Sequence, residues 1–236
     1  MLVCYLPPLP PHPFAGKPTP LSRLQLDRRL ALLEPEDARD LALLEEVVHW
    51  EHIPLASTDE NLALRARDVL TRLRTPALGE MLVWRLELRT LVGALRRRRL
   101  GLPAPAVRET WGWGDCLDSI RRHWDRSDFN LGHRHPWLAA AERHLGRGEH
   151  KALENLLFTT VWDHYARLGW NHSFDFEAVV LYVLRWHLLD RLTRYDPEAA
   201  SQRFGELLAQ GLGGFDRLFT ASGPSVEIQG LPHERS

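Results

Sequence analysis

Apolar positions recur at spacings of three and four through most of this chain, the period of a helix that buries one face. Leu24, Leu26, Leu30 and Leu33 predict a first helix from about Ser22 to Leu33, with Ser22 and Gln25 in the relation of a capping box. Pro35 suits the first residue of a second helix. Glu36 and Asp37 complement its positive end, and Leu41, Leu43, Leu44, Val47 and Val48 form its stripe, which should run to about Glu51, ahead of Pro54. Thr58, Asp59 and Asn61 offer caps for a third helix carrying Leu62, Ala66, Val69, Leu70 and Leu73, ended by Thr75-Pro76. The fourth is long and amphipathic. Leu78, Met81, Leu82, Trp84, Leu88, Leu91, Val92 and Leu95 keep helical spacing, and Arg96 to Arg99 load the last turn before Gly101 and Pro103.

Glycine, proline and the sequence Trp111-Gly-Trp113-Gly then mark residues 101–114 as a linker or a structured loop. Beyond it the pattern predicts helices at about Asp115 to Trp124, Pro136 to Gly146, Glu149 to Leu168, Phe176 to Tyr195 and Pro197 to Gly211. The start is different: Leu2 to Leu6 followed by seven prolines up to Pro20 cannot propagate a helix and reads as an extended arm or a single edge strand. The expected organisation is all-α, with about nine helices. A Pro-rich arm (1–20) leads into an N-terminal lobe (21–100), and the 101–114 segment joins this to a C-terminal lobe (115–211) and a tail (212–236) expected to be mobile.

Composition supports helix over strand, since about 43 leucines stand against about 15 valines and isoleucines. A formal net charge of -1 excludes a broad attraction to DNA or another polyanion, so nucleic acid would need a local patch. Cys4 and Cys116 cannot build a disulfide framework and have no zinc-type spacing. Apolar runs are too short for a membrane span, the opening lacks a basic leader, and a cytoplasmic protein is expected.

Candidate chemistry is sparse. Glu46 and His49 form half of the Glu-x-x-His pattern of carboxylate-bridged metal bundles; the second half is missing, so neither metal nor cofactor is expected, and a metal-dependent helical-bundle enzyme using these two residues is an alternative reading. Asp163 with His164, and His187 with Asp190, could each orient an acid–base pair, yet no nucleophile elbow or phosphate loop accompanies them. Arg96, Arg97, Arg98 and Arg99, with Trp111 and Trp113 just beyond, could hold single-stranded RNA or an acidic protein, although a solvated helix terminus accounts for the block more simply. Trp111, Trp113 and Trp137 fall outside the helical stripes and are the tryptophans best suited to an interface.

Several segments in a fixed order carry a resemblance: Tyr5-Leu-Pro-Pro-Leu9, the Ser22 to Leu33 helix with Asp37, Trp84-Arg-Leu-Glu-Leu-Arg89, Asp128-Phe-Asn-Leu-Gly132 ahead of Pro136-Trp137, and Phe174-Asp-Phe-Glu-Ala-Val179. In these the chain resembles, to about Leu208, an uncharacterised bacterial family encoded among the components of V/A-type rotary ATPases. That family is similar in helical character to the funnel-shaped central-stalk piece that sits on the membrane rotor ring and receives the shaft. The resemblance implies a non-catalytic coupling or assembly component, whose partners are the ATPase shaft or membrane rotor ring and whose contact with the membrane is indirect. This chain is shorter than a typical funnel of that kind. Glu87, Arg89 and Glu177 lie on the shared segments and are expected to form structural ion pairs that fix helix packing.

Overall fold

In a computed structural model, residues 2–15, 19–48, 59–109 and 111–195 are described. The eight α-helices among them are α1 (Arg23–Leu30), α2 (Pro35–Val48), α3 (Asp59–Arg72), α4 (Pro76–Arg99), α5 (Cys116–Arg122), α6 (Leu138–Arg147), α7 (His150–Leu168) and α8 (Phe176–Tyr195). No strand occurs among the described residues, so the all-α reading holds there. His49, Trp50, Thr58, the helix expected from Pro197 and the C-terminal tail lie outside them.

Local rules explain the ends. Ser22 accepts the Gln25 amide while Gln25 accepts the Ser22 amide, closing the expected capping box on α1. That helix stops at Leu30, earlier than Leu33, because the next residues tighten into turn hydrogen bonds. Pro35 and Pro76 each occupy a first helical position, where a missing N–H costs nothing. The segment Leu2–Tyr5 is a single 3-10 turn, not an edge strand.

Met1–Asp190 forms one compact unit, and a second begins at Arg191. Within the first, packing does not follow a division at 101–114. One hydrophobic cluster joins α1, α2, α3 and most of α4 to Val161 and Tyr165 of α7 and to α8, while the other gathers α5, α6, Phe129, Leu131 and Leu153. Helix α4 belongs to both, giving Leu78 to Leu88 to the first and Leu91, Ala94 and Leu95 to the second. Such a helix is buried almost all round in its middle, which is why Glu87 and Thr90 are buried along with the leucines.

The arm is held by complementary chemistry. Proline keeps its carbonyl but has no N–H, and the indole N–H of tryptophan can only donate. Trp162, fully buried on α7, donates to the Pro11 carbonyl at 3.2 Å, and Trp186, fully buried on α8, donates to the Leu21 carbonyl at 2.9 Å. Arg74 provides a second long-range tie between α2 and the turn ahead of α4. It donates to Glu36 at 2.9 Å, to Asp37 at 2.5 Å and to the buried Asp40 at 2.8 Å. These bonds hold its guanidinium above the ordinary arginine range, the Asp37 and Asp40 bonds outweighing desolvation.

Trp186→Phe keeps an aromatic ring but orphans the Leu21 carbonyl, and should cost about 2–3 kcal/mol in urea unfolding. Trp162→Phe should cost less, about 1–2 kcal/mol, because the exposed Pro11 can turn its carbonyl to water. Both should speed proteolysis within the arm, and an arm as resistant as wild type would show that the indoles do not hold it.

Candidate functional site

Of the residues singled out from sequence, Arg97 and Trp111 come together at the C-terminal end of α4 and the loop that follows it. This loop is structured. Thr90, one turn after Glu87 on α4, accepts the Trp113 amide at 2.7 Å, and Glu87 accepts the Asp115 amide at 3.2 Å. So close an approach requires glycine: a Cβ on Gly112, at φ +72°, would fall 2.6 Å from Thr90 Cγ2, and one on Gly114, at φ +94°, only 2.4 Å from Glu87 Cγ. Glu87 also faces Arg134, from the second half of the chain, at 3.8 Å. Arg89 is exposed and makes no ion pair among the described residues. Glu177 is half-buried and likewise makes none. Cys116 is buried beneath this loop, its thiol donating to the Trp113 carbonyl at 3.4 Å. Burial, with the negative charge of Glu87 second, pushes that thiol up to about 12, which makes it unreactive.

The four arginines separate into two pairs. Successive helical residues are turned by about 100°, so four in a row cannot share a face, whereas residues three apart can. Arg97 and Arg98 turn inward. Arg97 donates to the Pro103 carbonyl at 2.8 Å and to Glu109 at 2.6 and 3.3 Å, and its guanidinium lies 6.0 Å from the Trp111 ring centre. The Arg97 bond, then the Ala106 amide, hold the Glu109 carboxyl below its ordinary value. Arg98 donates to the carbonyls of Trp124, Arg126 and Ser127 and sits 4.5 Å over the Phe129 ring. Arg96 and Arg99 are exposed and make no ion pair among the described residues.

Arg98 thereby holds a strained turn. Phe129 and Asn130 adopt φ of 50° and 58°, a region where a bulky side chain such as Phe is an outlier. Asp128 accepts the amides of Asn130 and Gly132, Ser119 donates to the Phe129 carbonyl at 2.8 Å, and the Phe129 ring is fully buried. These contacts over-determine the conformation.

The other candidates are engaged elsewhere. Glu46 pairs with Arg65 at 2.5 Å, joining α2 to α3. His187 lies 2.7 Å from Glu45, across from α2. His164 stacks flat on Trp84, with centroids 3.5 Å apart and planes 4° from parallel. Trp111, Trp113 and Trp137 are half-buried against the hydrophobic clusters. The most exposed tryptophan described is Trp170, at 82%, in the turn between α7 and α8 beside the exposed Phe174. It stands after Gly169, outside any helical stripe as Trp111, Trp113 and Trp137 are, so the same signal would have found it. In the same turn His172, Asp175 and Glu177 place one nitrogen and two carboxylate oxygens within 4.8 Å of one another. His172 donates to Asp175 at 2.6 Å, and the other Asp175 oxygen accepts the Ala178 amide at 3.0 Å. Partial burial raises the Asp175 carboxyl, but the two hydrogen bonds together hold it below its ordinary value.

Set against known proteins, the chain matches no family model, no curated protein and no solved structure.

Two expectations follow from this geometry. Arg98→Ala should destabilise by about 2–4 kcal/mol, because it leaves carbonyls and the strained turn without their donor, while Arg96→Ala should stay within about 0.5 kcal/mol. Equal urea midpoints for the two variants would refute the inward assignment. The second concerns pH. His135, 5% exposed and with Nε2 unpartnered, is lowered to about 4 by burial and then by Arg134 and His133, and His164 is lowered to about 4 by burial and then by Arg167. In the unfolded chain both take a proton near 6.5, so between about pH 6.5 and 4 the unfolded state binds more protons and stability falls as pH falls. For His135 the loss amounts to about 3 kcal/mol. His135→Phe with His164→Phe should flatten the stability–pH slope in that window by about two protons, and an unchanged slope would place the titration elsewhere.

Proposed function

We propose that this chain is a coupling or assembly component of a V/A-type rotary ATPase, working through shape and contact surfaces. The observation that supports this reading is where the shared segments lie. Trp84 to Arg89 supplies the buried Glu87 that takes the Asp115 amide and faces Arg134. Asp128 to Gly132 supplies the strained Phe129 beneath Arg98, and Phe174 to Val179 opens α8, whose Phe176 and Val179 enter the first hydrophobic cluster. Residues that carry a family resemblance and also hold one another in place suit a scaffold that presents surfaces. Among the described residues no helix is long and apolar enough to cross a membrane. On the ATPase reading the chain lies on the cytoplasmic side and meets the membrane through its partners. The inward turn of Arg97 and Arg98 takes half of the basic block out of any RNA-binding reading.

A tagged copy should be recovered from detergent-solubilised membranes of its native cell in moderate salt, with bound proteins identified by mass spectrometry. ATPase head, shaft or ring components are expected in near-stoichiometric amount. Recovery of an intact ATPase from the same extract without this chain would overturn the assignment.

A further inference from the structure

We propose that the end of α4 and the loop after it form a docking surface for an acidic helix of a protein partner that carries aliphatic side chains along one face. The inference goes beyond the ATPase reading and does not require it.

The surface is fixed from within. Arg97 ties the loop to the helix through Pro103 and Glu109, and the second Glu109 oxygen also accepts the Ala106 amide at 3.1 Å. Its apolar residues are thus held where they stand. Leu100 is 74% exposed, Leu102 48% and Val107 84%, all close in sequence to the segments that Arg97 joins. An aliphatic residue in a tethered loop cannot turn inward, so its surface stays hydrated until another molecule covers it.

Charge selects the occupant. Arg96 and Arg99 on α4 and Arg108 on the loop are exposed and make no ion pair among the described residues. The chain as a whole carries -1, so this positive excess is local. Carboxylates meet these cations, and leucine- or valine-like side chains one turn apart cover the aliphatic residues; an acidic amphipathic helix offers both. RNA would satisfy the cations alone. The indole beside Arg97, Trp111, is half-buried with that guanidinium 6.0 Å from its ring centre, and its six-membered edge would lie 3.6 Å from a Cβ on Gly93 of α4. The exposed neighbours are aliphatic and give bases nothing to stack on.

The test uses the full chain in its native cell, with photoreactive benzoylphenylalanine placed in separate copies at Leu100 and Val107, and at Leu64, an exposed leucine of α3, as control. Light-induced adducts at 100 and 107, mapped by mass spectrometry, are expected to fall on a partner segment with net negative charge and aliphatic residues at helical spacing. Arg96→Glu with Arg99→Glu should lower their yield about tenfold, and Arg96→Lys with Arg99→Lys should preserve most of it. Circular dichroism confirms that each variant is folded, and Arg96→Gln with Arg99→Gln replaces the reversed pair should that one not fold. The proposal is overturned by adducts no more frequent than at 64, by adducts to RNA or lipid, by a partner segment without acidic excess, or by charge reversal that leaves the yield unchanged. An acidic helix from a protein outside the ATPase, with no ATPase component co-purifying, would keep this surface and remove the ATPase reading. ATPase co-purification with silent positions 100 and 107 would do the reverse.

Discussion

The carboxylate of Glu87 is the constraint around which the middle of this protein is arranged. A buried charge is costly unless hydrogen bonds and an opposite charge replace the water it loses. Here the Asp115 amide and Arg134 supply that replacement. Meeting the demand draws the 111–115 segment onto α4, and the closeness of approach is what excludes a side chain at Gly114. With the segment so placed, Trp113 and Trp111 fall against different hydrophobic clusters, and Cys116 is buried behind them. The electrostatic requirement of one side chain therefore organises the connection between the clusters that α4 shares.

Long-range ties elsewhere follow the same logic of matched donors and acceptors. Past its opening 3-10 turn the proline-rich arm has carbonyls to offer and fewer amides, so neither α-helix nor sheet can use it. Two buried indoles, which need acceptors and cannot themselves accept, take the Pro11 carbonyl of the arm and the Leu21 carbonyl just after it. The cost of burying tryptophan without a partner and the inability of the arm to pair with itself are resolved together. Arg74 does the corresponding work at the start of α2, where three carboxylates of the first two turns converge on one planar, multiply donating group.

What could be read in advance divides by range. The Ser22–Gln25 capping box, Pro35 as a first helical residue and both ends of α8 were legible because their causes lie within a few residues. The inward and outward halves of the arginine block were also within reach, since Arg96 and Arg99 are three apart and must lie near one another on the helix. The strained Phe129 was not legible. Nothing local asks a phenylalanine to take a positive φ, and the conformation depends on Arg98, Ser119 and Asp128 acting together. Nor could helical spacing reveal that Val161, Tyr165 and α8 rejoin the first cluster, for periodicity shows which face is buried and says nothing of the partner.

The turn between α7 and α8 shows how a suggestive constellation can have a local explanation. His172, Asp175 and Glu177 have the composition of a metal site, but both oxygens of Asp175 are already in use. One accepts the Ala178 amide, a first-turn donor that α8 cannot satisfy internally, and the loss of such a cap costs about 1 kcal/mol. The other accepts a hydrogen from His172 Nδ1, the same nitrogen a metal would need. A cation entering here would compete with the bonds that start the helix. Only Glu177 among the three makes no hydrogen bond or ion pair among the described residues, so the arrangement is accounted for by helix initiation. The exposure of Trp170 and Phe174 beside it has no such local cause, because no hydrogen bond or ring contact engages either aromatic ring among the described residues.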